Sequence, residues 1–312
     1  SDVVIDPQLR RPPSEALAWV AATMGRGATV RSVRRLHGGI SSAVHRVTIE
    51  TLAGARTTVV LRRWVGNRFG IDRSAMAQHV VDEQAALELV EPSPVPAPRV
   101  IAADAEGDQA GVPALLMSRL PGSIFLAPSD FAPWLHAVAD TLGDIHALPI
   151  DDRIPAFTAY DFSSRAVPSD ATRPELWRAA NALGTREPPT TTPVFRHGDY
   201  QHFNLLWSRE QLTGVVDWTF PSRGPAGLDV GHCMLNLAVL FSADAAAQFR
   251  ARYEAVTAST VDPYWIATAL SGYSSDWLRF IPVQVHGRAP VDTAGMTARV
   301  ETALDAAMQA LG

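Results

Sequence analysis

Between residues 28 and 64 the chain reverses direction twice, with very little sequence in which to do so. Three runs rich in valine, leucine and threonine, at 28–36, 43–50 and 57–64, read as β-strands. HGGISS (37–42) joins the first two, and a turn around Gly54 joins the second and third. Parallel neighbours need a crossover of about a dozen residues or more. These strands can therefore form only an antiparallel meander.

What flanks the meander has a different period. Before it, Leu17, Val20, Ala21 and Met24 recur at helical spacing, with Ser14 as the expected N-cap. After it, a helix is expected over 72–90. Met76, Val80, Leu87 and Val90 mark its apolar stripe, and Glu83 falls on that stripe. The proline-rich EPSPVPAP (91–98) leads to two short strands, 99–103 and 114–117, and SRLPG (118–122) reads as a hinge. Beyond the hinge the pattern is helical at 131–147, 228–241, 243–257, 262–281 and 292–311, interrupted by the interval 194–218. The reading is an α+β chain of two lobes. Residues 1–118 form a small antiparallel β lobe with one helix, and residues 119–312 form a larger, mainly helical lobe.

Composition narrows the function classes. The 47% hydrophobic and 19% charged content of the 312 residues is that of a soluble globular protein. A single cysteine, Cys233, allows no intramolecular disulfide and suits a reducing compartment. It reads as a core residue of an apolar helix. There is no signal-peptide core, and no apolar run has the roughly 18 residues of a membrane span. The expectation is a cytoplasmic protein that neither enters a membrane nor depends on a protein partner. A net charge of −5 without a basic block argues against nucleic acid as a partner. The chain has no lysine, so all 27 basic side chains are arginine. Residues 1–118 carry 13 arginines against 12 acids, a net of +1, and residues 119–312 carry 14 against 20, a net of −6.

The chemistry is concentrated in FRHGDYQHFNLLW (195–207) and LTGVVDW (212–218). Asp199 and Asn204 are five apart in a loop. Asp217 ends an apolar run 18 residues after Asp199. A hairpin pairing 205–207 with 215–216 would bring Asp217 back to Asn204. Phosphoryl transfer needs a carboxylate to orient and deprotonate a hydroxyl, and oxygen ligands for Mg²⁺ on the nucleotide phosphates. Asp199 suits the first task, and Asn204 and Asp217 suit the second.

HGDxxxxN followed by a strand ending in Asp-Trp resembles the catalytic segment of the aminoglycoside phosphotransferase family. That resemblance implies a protein-kinase-like fold, ATP and Mg²⁺ as cofactors, and a hydroxylated small molecule as acceptor. It also implies Asp199 as the catalytic aspartate, Asn204 and Asp217 as metal ligands, and His197 as a buttress of the loop. GPAGLDVGH (224–232) resembles the family's next motif, with Asp229 supporting the loop. Pro225 stands there where the family has an acidic residue. Upstream, HGGISSAVHRV resembles a phosphate loop, with Gly38, Gly39, Ser41 and Ser42 near the phosphates. Val59, Val60, Leu61 and Arg62 occupy the kinase V-A-I-K strand, with Arg62 in the lysine's place. Glu83 is its expected ion-pair partner, and Met117, Ser118 and Arg119 are the expected adenine hinge.

Competing readings exist. His197, Asp199 and His202 could suggest a metallohydrolase, but the further ligand clusters of a two-metal site are missing from the sequence. A catalytically silent nucleotide-binding protein of the same fold is a stronger rival, though Asp199, Asn204, Asp217 and Glu83 are all present. Choline, homoserine and macrolide acceptors stand beside aminoglycosides and amino sugars. His146 and His232 read as packing or capping residues.

Overall fold

The computed structural model describes residues 11–36, 42–66 and 72–312. Gly38, Gly39 and Ser41 of the expected phosphate loop lie outside the described residues. The chain forms two compact units, one of residues 1–120 with 217–220, the other of 121–216 with 221–312.

In the first unit, helix α1 (Ser14–Met24) precedes strands β1 (Thr29–Arg35), β2 (Ala43–Glu50) and β3 (Arg56–Arg63). Helix α2 (Arg73–Val90) and strands β4 (Val100–Asp104) and β5 (Ala114–Ser118) follow. The five strands form one antiparallel sheet in the order β1-β2-β3-β5-β4. The meander forms as its short connections require. In β2 every second residue is buried, the period of a strand with one covered face. Ala16, Trp19 and Val20 of α1 supply that cover, packing on Val47, Ile49, Val59, Leu61 and Leu116. Burying such side chains contributes about 1.5–3 kcal/mol each. The edge strand β1 is largely exposed and carries Arg31, Arg34 and Arg35, charges that discourage pairing with another chain. Ser14 is not the cap of α1. Pro13 occupies that position and Ser14 is the first helical residue. Asp72 does cap α2, accepting a 2.8 Å hydrogen bond from the Ala75 N–H. Asp104 accepts the N–H groups of Asp108, Gln109 and Ala110 at 2.7–3.1 Å, which shapes the path from β4 to β5.

The second unit holds helices α3 (Phe131–His146), α4 (Pro174–Asn181), α5 (Ala226–Leu240), α6 (Ala243–Thr257), α7 (Pro263–Leu270), α8 (Trp277–Val285) and α9 (Met296–Ala310). Strand β6 (Val194–Arg196) pairs with β9 (Ser222–Gly224), and β7 (Leu205–Ser208) pairs with β8 (Gln211–Val215). Helix α5 is the hub, packing on α6, α7 and α9 with 12 of its 15 residues buried. Gly231 is what lets α7 come so close, since a Cβ there would lie 2.7 Å from that of Ala269. Cys233 is fully buried in this core. The single helix expected over 262–281 is broken. Ser271-Gly272 ends α7, where the Ser271 hydroxyl bonds back to the Thr268 carbonyl at 3.0 Å. Helix α4 was not expected. It is held by Glu301 of α9, buried and accepting from Thr172 N, Arg173 N and Trp177 Nε1.

No helix among the described residues is long and apolar enough to cross a membrane.

Candidate active site

The first unit holds a buried cationic group. Arg62 leaves β3 with its side chain 7% exposed, and Glu83 leaves the buried stripe of α2 at 1%. The Arg62 Nε lies 3.3 Å from Glu83 Oε2, its second terminal nitrogen 3.3 Å from Asp217 Oδ1, and its first donates to Ser42 Oγ at 2.9 Å. Burial opposes the charge on Arg62, but Glu83 and Asp217 together hold it above its ordinary pKa. Burial also pushes the Glu83 carboxyl up to about 7, with Arg62 pulling it down and Asp217 pushing it further up. A guanidinium does not deprotonate in a protein, so Arg62 is a fixed cation.

Asp217 has a φ of 65°. Left-handed backbone costs a residue with a Cβ roughly 1–2 kcal/mol, and such strain concentrates at functional sites. Its Oδ1 also accepts the Thr219 hydroxyl at 2.9 Å. At the expected hinge, Met117 is buried and Arg119 is exposed. The Ser118 N–H donates to the Arg99 carbonyl, and its hydroxyl accepts the Arg99 N–H, both at 2.8 Å.

In the second unit the HGD turn requires Gly198 at φ 88°. Asp229, fully buried on α5, fixes this turn. Its Oδ2 accepts the His197 N–H at 2.8 Å and lies 3.3 Å from His146 Nε2. Its Oδ1 accepts from Gly198 N at 3.2 Å and Arg196 at 3.1 Å. Burial pushes the Asp229 carboxyl up, but the Arg196 charge and the His146 hydrogen bond hold it well below the carboxylate range. His197 accepts the Asp199 N–H at Nδ1 (3.2 Å) and donates from Nε2 to the Val216 carbonyl at 3.0 Å.

Asp199 is therefore presented by a fixed backbone, and its side chain, 28% exposed, is gripped from three directions. Gln201 Nε2 and His232 Nε2 each lie 2.7 Å from Oδ1, and Asn204 Nδ2 donates to Oδ2 at 3.0 Å. Burial alone would raise the Asp199 pKa. The hydrogen bond and charge of His232, with His197 and Gln201, bring it below its ordinary value. Asn204 spends its other amide hydrogen on the Asp199 carbonyl at 2.8 Å, and its own carbonyl accepts the Val216 N–H at 2.9 Å. The β7–β8 hairpin forms with Leu205 opposite Val215. Its turn is tighter than expected, closing on Arg209 and Glu210, both at positive φ.

The metal fit rests on the donor set. Asn204 gives both amide hydrogens to Asp199, which leaves its side-chain oxygen as an acceptor, and Asp217 carries a carboxylate. Hard oxygen donors suit Mg²⁺ or Ca²⁺. The metallohydrolase reading fares worse, because His202 turns its Nε2 to the Asn236 carbonyl at 3.1 Å and is fully buried. Among the described residues no group of three or more His, Cys, Asp or Glu could hold a metal ion.

Sequence reasoning missed Gln201 and assigned His232 to packing or capping, which the structure corrects. The signal for His232 was present. It lies three residues after Asp229 on α5, hence on the same helical face, and that face meets the HGD loop.

The fold is of the protein-kinase-like class. A candidate aminoglycoside phosphotransferase from Ralstonia eutropha JMP134 superposes with a TM-score of 0.59 at 19% identity, over 96% of this chain and 99% of that one. The macrolide 2′-phosphotransferase MphH from Brachybacterium faecium gives 0.56 at 15% identity, over 93% and 98%. A thermostable mutant of aminoglycoside phosphotransferase APH(4)-Ia, in ternary complex with ADP and hygromycin B, gives 0.58 at 14%, over 95% and 99%. No curated protein matches the chain in sequence. Residues 32–265 match the sequence profile of the phosphotransferase enzyme family, and the chain belongs to that family.

Proposed function

We propose that this chain transfers the γ-phosphoryl group of ATP to a hydroxyl of a small molecule, with Mg²⁺ as cofactor. The observation that carries the reading is Asp199, a carboxylate held below its usual pKa and fixed by three donors in a rigid loop. That is a general base prepared for a hydroxyl proton. In the reaction the acceptor oxygen bonds to the γ-phosphorus, the bond to the bridging oxygen of ADP breaks, and the hydroxyl proton goes to Asp199. Asn204 and Asp217 hold the metal, which neutralises charge on the phosphates when bound. Arg62, kept cationic and oriented by Glu83, contacts the phosphates, together with Ser42 and the Gly38, Gly39 and Ser41 loop. Met117–Arg119 serve the adenine. Residues 1–118 then bind nucleotide and 119–312 bind the acceptor.

For the acceptor we favour a polar cation, an aminoglycoside or amino sugar. The −6 balance of residues 119–312 would attract one, and a structural neighbour holds hygromycin B. The test is a magnesium-dependent phosphorylation screen over aminoglycosides, macrolides, amino sugars, choline and homoserine, run with wild type and Asp199→Asn. Phosphorylated product from the wild type alone is expected. Product from both, or from neither, rejects the reading. A salt-independent kcat/KM, or preference for a neutral acceptor, rejects the cationic acceptor alone.

A further inference from the structure

Helix α5 does more than anchor the HGD loop. Asp229, His232 and Asn236 stand on one face at spacings of three and four. Asp229 holds the His197 and Gly198 N–H groups at the start of the loop. The Asn236 backbone carbonyl holds His202 near its end. Between them, His232 reaches Asp199 itself at 2.7 Å. One rigid helix thus grips the loop at three successive points, and the middle one is the carboxylate proposed to do the chemistry.

The hydrogen-bond arithmetic at that carboxylate is specific. An ionised carboxylate is acceptor-only, with about four lone-pair directions. Gln201 and His232 fill the two at Oδ1, and Asn204 fills one at Oδ2. One direction is left, on Oδ2. Because the carboxylate cannot donate, the 2.7 Å contact requires a proton on His232 Nε2. The Asn236 amide gives one N–H to the His232 carbonyl at 3.0 Å, and its 3.4 Å approach to that nitrogen is much longer than the 2.7 Å contact to Asp199, which decides where the proton sits.

We infer that His232 is a positioning residue for phosphoryl transfer. Its Nε2–H fixes Oδ1 of Asp199 and leaves Oδ2 as the single atom open to the acceptor hydroxyl. This rests on the function proposed above. An imidazole suits the task better than a guanidinium would. It orients the carboxylate through one N–H at Oδ1 and leaves Oδ2 open, where a bidentate guanidinium fork would occupy both oxygens. The side chain is 28% exposed, so the ring is not simply filling the core.

Two measurements test it. The first needs no acceptor: long-range ¹H–¹⁵N spectra of the histidine-labelled protein at neutral pH, with His232 assigned by its loss in His232→Gln. Nε2 is expected to be protonated, and its resonance to move in Asp199→Asn. A bare Nε2, or no response to Asp199→Asn, overturns the inference. The second is ADP release from magnesium-ATP, with water as acceptor and with the panel above. His232→Leu should lower kcat about 10- to 30-fold while KM for ATP stays within about twofold. His232→Gln, which retains a donor of similar reach, should recover to within about threefold of wild type. Wild-type turnover in His232→Leu, or equal damage in both variants, overturns the inference while an inactive Asp199→Asn leaves the kinase reading standing. An Asp199→Asn protein that turns over normally removes the kinase reading itself.

Discussion

Replacing Asp229 with asparagine changes one atom and should cost the protein a large part of its stability. Each carboxylate oxygen faces two groups: Arg196 and the Gly198 N–H at Oδ1, the His197 N–H and His146 Nε2 at Oδ2. An amide keeps only one oxygen. If that oxygen sits at Oδ1, the new NH₂ group confronts the His197 N–H. His146 can change tautomer to accept from it, but a backbone donor cannot. If the oxygen sits at Oδ2, the NH₂ confronts both the Gly198 N–H and a guanidinium. In either case Arg196, 7% exposed, loses its counter-charge. One stranded buried donor costs about 1–3 kcal/mol, and an unpaired buried charge brings the expected total to roughly 3–5 kcal/mol. That corresponds to a melting temperature lower by roughly 5–8 °C. Chemical denaturation monitored by tryptophan fluorescence measures it. The acid limb provides a second check. The folded pKa of Asp229 is depressed, so its contribution is fully present above the unfolded value near 4 and is lost as pH falls through the lower folded value. The gap between wild type and variant should be full at neutral pH and narrow below about pH 4. A variant within about 1 kcal/mol of wild type at pH 7 would refute the reasoning.

Glu301 makes the opposite case. Its Oε1 takes the Thr172, Arg173 and Trp177 donors and its Oε2 meets only the Thr172 hydroxyl, which can also accept. Glu301→Gln should therefore cost less than about 1 kcal/mol in urea denaturation, and Glu301→Leu about 3 kcal/mol. Arg62→Ala strands two carboxylates and should lower both nucleotide affinity and turnover. Arg62→Lys should retain part of each, because a point charge cannot meet Glu83, Asp217 and Ser42 together; nucleotide titration and steady-state rates decide. Ala258 ends α6 at φ 49°, so Ala258→Gly should stabilise by about 1 kcal/mol, read as a higher melting temperature.

The β-meander and α2 were legible because their signals are local: short connections, runs rich in valine, leucine and threonine, and the apolar stripe of Met76, Val80, Leu87 and Val90. The break at Ser271-Gly272 was not, because apolar residues on either side continue a helical period that only side-chain back-bonding interrupts. Helix α4 escaped notice because its anchor, Glu301, is more than a hundred residues away. The groups around Asp199 divide the same way. Asn204 could be found by spacing within one loop. His232 could be found only by combining two statements, that Asp229 underlies the loop and that a helix repeats its face every three to four residues.

Arg62 also determines how this protein responds to covalent chemistry. Reagents that report on nucleotide sites by acylating an amine need a side chain that spends some time neutral and nucleophilic. This chain has no lysine to offer, and its buried cation is a guanidinium held charged by two carboxylates. Amine-directed probes therefore find no side-chain target anywhere along these 312 residues. Dicarbonyl reagents, which do attack arginine, meet a side chain 7% exposed and already engaged on both sides. Protection of Arg62 against them should fall only when Glu83 or Asp217 is removed, so its modification rate reads directly whether that trio is intact.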